Sequence, residues 1–181
     1  IFAIGLCLLM IVPKSKSNLE TVIENYMKDI TVVEGENLDR DLASEGADTV
    51  LSAEALQDDL KGISISGMPS SYAYIFSGTD GTMLYHPTAD KIGLPVENVA
   101  AKQLLTEIGE GKKPEPSVIE YEFKGKQKYA AYYIGNEAAF VLIITADGDE
   151  VFASLNETTN NSLRGALVLI LVCSVFTFFT T

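Results

Sequence analysis

The sequence predicts an α+β fold built on one five-stranded antiparallel sheet, and three observations predict it. From about residue 70 the apolar pattern changes from three- and four-residue helical steps to alternation with period two. The alternating runs are mostly joined as hairpins, one about Asp80-Gly81 and one about the lysine-rich turn 124–126, while the helical patterns stand apart from them. All thirteen Lys/Arg and all twenty-five Asp/Glu lie between Lys14 and Arg164, so a charged central module sits between two uncharged ends.

Residues 1–12, IFAIGLCLLMIV, carry no charge and are too short to span a bilayer by themselves. The chain starts with Ile, and no small-residue cleavage site follows in MIVPKSKS, so 1–13 reads as the end of a transmembrane helix; a signal-peptide remnant is the alternative. After Pro13, Leu19, Val22, Ile23, Tyr26, Met27, Ile30 and Val33 recur at helical steps, predicting a long helix with one packed face that continues loosely to Gly46. Ser52 is a suitable N-cap for a second helix, with Glu54 in its first turn and Gly62 as its stop.

Tyr72, Tyr74 and Phe76 then alternate against Ala73, Ile75 and Ser77, and the chain returns through TMLYH to Pro87. A short helix follows over 97–109, with Ala100, Ala101, Leu104, Leu105 and Ile108 on one face. Strands are predicted at 117–123, 127–135 and 139–146; the last is apolar throughout, so both its faces should be covered. A polar exit helix leads from Asp149 into residues 165–181. Those seventeen uncharged residues reach roughly 25 Å at ~1.5 Å each, close to a hydrocarbon core. Expected domains are therefore 1–13 as a span end, 14–163 as one soluble module, and 164–181 as a second transmembrane helix.

Composition narrows the function. The module carries twelve Lys/Arg against twenty-five acids and has no basic stripe, which argues against nucleic acid or anionic lipid and for an extracytoplasmic location. Both cysteines, Cys7 and Cys173, lie in the apolar ends, so the module has no internal disulfide. One histidine, no soluble cysteine and no serine nucleophile motif predict that the chain is not an enzyme. A single His with no matching cluster predicts no metal site, and no cofactor is expected. Glu120 and Glu122 share one strand face, explained by a solvated edge on which Lys126 and Lys128 pair with them.

The segment YIFSGTDGTMLYHP (74–87), the hairpin YEFKGKQKYAAYYIG, the apolar FVLIITADGDEV and the long leading helix together resemble the single Cache type of PAS-like extracytoplasmic sensor domain. The order of elements agrees over essentially the whole chain, and the strand–Asp-Gly–strand–His-Pro run is the most specific part. The resemblance implies a central antiparallel sheet with a small-molecule pocket on one face and the long helix on the other. It also implies a transmembrane receptor, most often a methyl-accepting chemotaxis protein, with a histidine kinase or cyclic-dinucleotide enzyme as alternative outputs. A non-sensing interaction module is the competing reading. The amino-acid-binding members carry a Tyr…Arg-x-Trp-Tyr cluster; this chain has no Trp and no Arg between Arg40 and Arg164. Lys91, Lys128 or backbone N–H groups would have to hold a carboxylate instead.

The expected ligand contacts are Tyr74, Phe76, His86, Tyr129, Tyr133 and Asp147. If the faces of Tyr72, Tyr74 and Phe76 and of Tyr129 and Tyr133 line one side of the sheet, they form a concave wall with hydroxyls at its rim. Core packing under the long helix is the alternative. His86 suits a small anion, with a charge that varies near pH 6–7; it also fits as a strand end held extended by Pro87. Asp147, at the end of the last strand, is a ligand candidate or a cap for the exit segment. The expected partners are a small organic acid or other metabolite, the membrane, and a second copy of the chain in a homodimer.

Overall fold

A computed structural model of the chain describes residues 2–180. The side chains of residues 1–13, 15, 16, 19, 154–159, 177, 178, 180 and 181 lie outside that description, and with them the expected end of a first span. The chain divides into two compact units, residues 24–151 and the helical ends 1–23 with 152–181. Helices α1 (Phe2–Glu45), α2 (Ala47–Val50) and α3 (Ala53–Leu60) precede the strands β1 (Tyr72–Phe76) and β2 (Met83–Tyr85). Helix α4 (Val99–Gly109), strands β3 (Val118–Phe123), β4 (Lys126–Ile134) and β5 (Val141–Asp147), and helices α5 (Gly148–Val151) and α6 (Ala153–Thr180) follow. Among the described residues no helix is long and apolar enough to cross a membrane.

Among the described residues the five strands form one sheet in the order β2-β1-β5-β4-β3, antiparallel at every pairing. The last strand in sequence is therefore the middle strand in space. Val141 to Ala146 of β5 are all buried, as an apolar run without alternation requires. Ser52 caps α3 by accepting from Ala55 N at 3.3 Å, as its position predicts. The Asp80-Gly81 turn also forms: Gly81 has φ 75°, a conformation that favours glycine, and Asp80 Oδ1 accepts from Thr82 N at 3.0 Å.

Period-two alternation gives the sheet two distinct faces. One carries Tyr74, Phe76, Met83, Tyr121, Tyr132, Val141 and Ile143, and Ala100, Ala101 and Leu104 of α4 pack against it. The other receives α1 through a specific fit. Among the described residues of the helix, Met27, Thr31, Gly35 and Leu38 are buried, whereas Val22, Tyr26 and Val33 of the expected apolar stripe are exposed. Shape decides the face here more than hydropathy. A Cβ at Gly35 would overlap the Tyr133 ring, so only glycine lets the ring seat against the helix. One turn on, Asp39 accepts from the Tyr133 hydroxyl at 2.7 Å and from Asn136 N at 2.9 Å. The Thr31 hydroxyl is satisfied within the helix, donating to Met27 O at 2.8 Å.

A glycine-to-alanine change inside a helix ordinarily gains about 1 kcal/mol. Gly35→Ala should instead lose about 1–3 kcal/mol in chemical denaturation, because the ring cannot yield without shifting. In a Tyr133→Ala background the same change should become neutral or stabilising. A gain in the otherwise unaltered chain would show that the Gly35–Tyr133 contact does not position α1.

Candidate functional site

The chain leaving β2 at His86-Pro87 does not run away from the sheet. It passes a 3-10 turn at Ala89–Lys91 and returns along the free edge of β2. Gly93 N donates to Met83 O at 2.8 Å, Met83 N to Leu94 O at 2.9 Å, and Val96 N to Gly81 O at 3.0 Å. This segment covers the exposed edge of the sheet and folds over its α4-side face. Between the two lies a cavity of about 20 Å³, room for a single water. Tyr72, Tyr74, Tyr121 and Phe123 line its sheet side, and His86, Lys91, Leu94, Glu97 and Asn98 its outer side.

His86 is only 7% exposed, with its ring 5.3 Å from that of Tyr72 at 61° and 5.9 Å from that of Tyr74. Its Nδ1 accepts from Thr88 N at 2.9 Å, which fixes the neutral tautomer with the proton on Nε2. Burial, and then the nearby Lys91 charge, bring its pKa down to about 4, against a smaller opposing pull from Glu97. The expected charge change near pH 6–7 is thus corrected: around neutrality His86 is an uncharged N–H donor. Lys91 Nζ lies 3.8 Å from Glu97 and 5.5 Å over the Phe123 ring.

Two short hydrogen-bonded runs sit in the sheet wall. Asn98 caps α4 by accepting from Ala101 N at 2.8 Å, and its Nδ2 donates to the Tyr74 hydroxyl at 2.9 Å. The Tyr121 and Thr145 hydroxyls are 3.3 Å apart, and Thr145 donates to Tyr129 O at 3.0 Å. Burial raises the Tyr74 phenol well above its ordinary pKa, with Tyr121 beside it, and pushes Tyr72 up to about 12. All three tyrosines therefore stay protonated at neutral pH.

Of the six expected contacts, the structure brings Tyr74 and His86 together at this cavity. Phe76 shares their face but is fully buried in the core beneath α4. Tyr129 and Tyr133 alternate onto the opposite face of β4, where Tyr133 meets α1. The single tyrosine-lined wall expected from the sequence is thus divided between two faces. Asp147 accepts from Lys126 at 2.6 Å and Lys128 at 2.5 Å, and those bonds hold its carboxyl below the usual carboxylate range. The expected pairing of these lysines with Glu120 and Glu122 does not form: Lys128 stands opposite Asp147 in the register, and Glu120 takes Gln127 Nε2 at 2.6 Å. Lys128 is 8% exposed with its Nζ 5.6 Å over the Tyr72 ring, so a buried ion pair sits behind the cavity. Among the described residues no group of three or more His, Cys, Asp or Glu could hold a metal ion.

The sequence reading did not single out Tyr121, Phe123 or Asn98. The first two alternate in phase on β3, and Asn98 precedes an apolar helical run as an N-cap would, so local signals existed. Their convergence with Tyr74 depends on strand order.

No protein-family model and no curated protein matches the chain. Solved structures do. A methyl-accepting chemotaxis protein from Vibrio parahaemolyticus aligns with 77% of this chain and 98% of its own, at 11% identity and a TM-score of 0.55. The periplasmic sensor domain of a chemotaxis protein aligns over 77% and 99% at 12% identity, with a TM-score of 0.47. The ligand-binding domain of Mlp24 with asparagine aligns over 57% of this chain, at 14% identity and a TM-score of 0.41; this chain spans 38% of that domain's length. The Vibrio likeness is one of fold, an α+β architecture shared over most of both chains.

The depressed His86 pKa makes stability pH-dependent. Between the unfolded value near 6.5 and about 4, the unfolded chain binds a proton that the folded chain refuses, so this contribution falls as pH falls through that window. The loss should be on the order of 3 kcal/mol and absent from His86→Gln. Because the chain has one histidine, its single ring resonance should titrate near pH 4 in NMR; titration at 6.5 would place the ring in solvent.

Proposed function

We propose that the module, expected over 14–163, is the extracytoplasmic sensor of a transmembrane chemoreceptor, and that it binds a small organic anion in the cavity beneath the 86–98 segment. The observation that carries this reading is the cavity itself. A PAS-like sheet is covered at its β2 edge by a segment that contributes an Nε2–H donor from His86 and a cation from Lys91, facing tyrosine hydroxyls. Lys91 is held at the mouth by a long 3.8 Å contact with Glu97, which an incoming carboxylate could replace. The buried Lys128–Asp147 pair backs the site without offering a free charge.

The cavity holds about one water, so a ligand enters only when the 86–98 segment moves outward. Signalling then follows from the difference in ligand affinity between the two positions of that segment. The second span, 164–181, is supported by the uncharged run 165–181 and by exposed Leu167, Val168, Leu171, Val172, Val175, Phe176 and Phe179 on α6. The first span is supported by uncharged residues 1–12. Exposed Tyr26 and Val33 of α1 give a second copy an apolar surface in the homodimer.

Thermal melting of the whole chain in detergent, against a panel of small carboxylates, amines and purines, tests the reading. A carboxylate at 100 times its Kd adds about 2.7 kcal/mol, a rise on the order of 10 °C. His86→Ala and Tyr74→Phe should reduce that rise. If no compound moves the melting temperature at millimolar concentration, the sensor reading fails.

A further inference from the structure

Both charged groups that face the cavity stand on the 86–98 segment. Among the described residues its lining carries one ammonium, Lys91, and one carboxylate, Glu97. Lys91 reaches across the seam. Its Nζ lies 5.5 Å over the ring of Phe123 on β3, so the segment is fastened to the sheet by a cation–π contact as well as by its backbone bonds to β2. Glu97 holds that ammonium at 3.8 Å. The backbone of Glu97 is pinned on both sides: Val96 N donates to Gly81 O at 3.0 Å, and Asn98 caps α4 and donates to the Tyr74 hydroxyl. His86 adds no charge, because its Nδ1 accepts from Thr88 N and a second ring proton would break that bond.

The closed cavity is therefore neutral, with its cation already facing a carboxylate of the chain itself. A ligand carboxylate that takes Lys91 leaves two carboxylates beside one ammonium, and the pinned backbone keeps Glu97 at the rim. Building on the proposed ligand site, we infer that Glu97 is a specificity-determining residue, an internal competitor that holds Lys91 in the closed position and favours ligands with one negative group over those with two. A long, half-exposed ion pair is weak, so a single carboxylate that also meets the His86 Nε2–H can displace it. A second negative group on the ligand finds no further cation in the lining and meets Glu97. Lys124, 5.2 Å over the Phe123 ring, does not line the cavity, and Lys128 is bound to Asp147.

The test uses two pairs of probes that differ by one carboxylate, acetate with malonate and propionate with succinate, each titrated against the whole chain in detergent by calorimetry. The monocarboxylate of each pair should bind about tenfold more tightly. Glu97→Gln keeps the shape and removes the charge. It should tighten acetate and propionate about three- to tenfold, and the dicarboxylates more, so that the ratio within each pair shrinks. The same substitution should speed amide hydrogen exchange at Gly93 and Val96, whose N–H groups tie the segment to β2. Tighter binding by a looser segment is a combination that a merely structural role would not produce, because lost structure weakens both. Unchanged or weaker binding by Glu97→Gln overturns the inference. So does a preference within the pairs that survives the substitution, since size alone would then set it. If none of the four probes binds either chain while another compound raises the melting temperature, the inference falls and the sensor reading stands. If no compound in the panel binds, both fall.

Discussion

The structure depends on β5 lying in the middle of the sheet with both faces covered. A strand with six consecutive buried residues cannot leave either face to water, so the sheet must be dressed on two sides. The two coverings solve different problems. On one face α1 docks by shape and charge, through the Gly35 notch for Tyr133 and the Asp39 carboxylate that holds Tyr133 and Asn136. On the other, α4 and the 86–98 segment divide the surface, and the seam between segment and sheet is the cavity. The site is thus a consequence of how the central strand is buried.

That origin explains the character of the site. The outer wall is attached mainly by backbone bonds to the edge of β2, a short strand of three residues, whereas the inner wall belongs to the core. A ligand can displace the first far more cheaply than the second, because local opening draws on the least stable parts of a fold. The electrostatics agree. Among the described residues the charges of the inner wall, Lys128 and Asp147, are paired with each other, and His86 is neutral around pH 7.

Much of the fold was legible in the sequence, because it follows from local chemistry. The period change near residue 70, the Asp80-Gly81 turn, the Ser52 cap and the two-faced burial of 139–146 each follow from residue type and spacing, and each is present within one or two residues. The misreadings share one cause, which is register. Whether Tyr129 and Tyr133 stand beside Tyr74 or behind it depends on the pairing of Tyr129 with Ala146 and of Tyr72 with Thr145, and no spacing within a strand encodes that. The same pairing sends Lys128 to Asp147 and leaves Glu120 on the other face. The packed face of α1 was hidden for a related reason. Hydropathy marks Val22, Tyr26 and Val33, but a glycine that admits a partner's ring outweighs them, and glycine carries no apolar signal. Asn98 was visible as a cap; its bond to Tyr74, twenty-four residues away, was not.

On the proposed reading, ligand binds on the α4 face of the sheet, against Tyr72, Tyr74 and Tyr121, and leaves the α1 face untouched. Carbon-13 labelling of the tyrosine ring Cζ positions reads this directly, with each resonance assigned by a Tyr→Phe variant. A compound that raises the melting temperature should shift the resonances of Tyr72, Tyr74 and Tyr121 first, and leave that of Tyr133 in place. Shifts centred on Tyr133 and Tyr129, with the other three unmoved, would contradict the account.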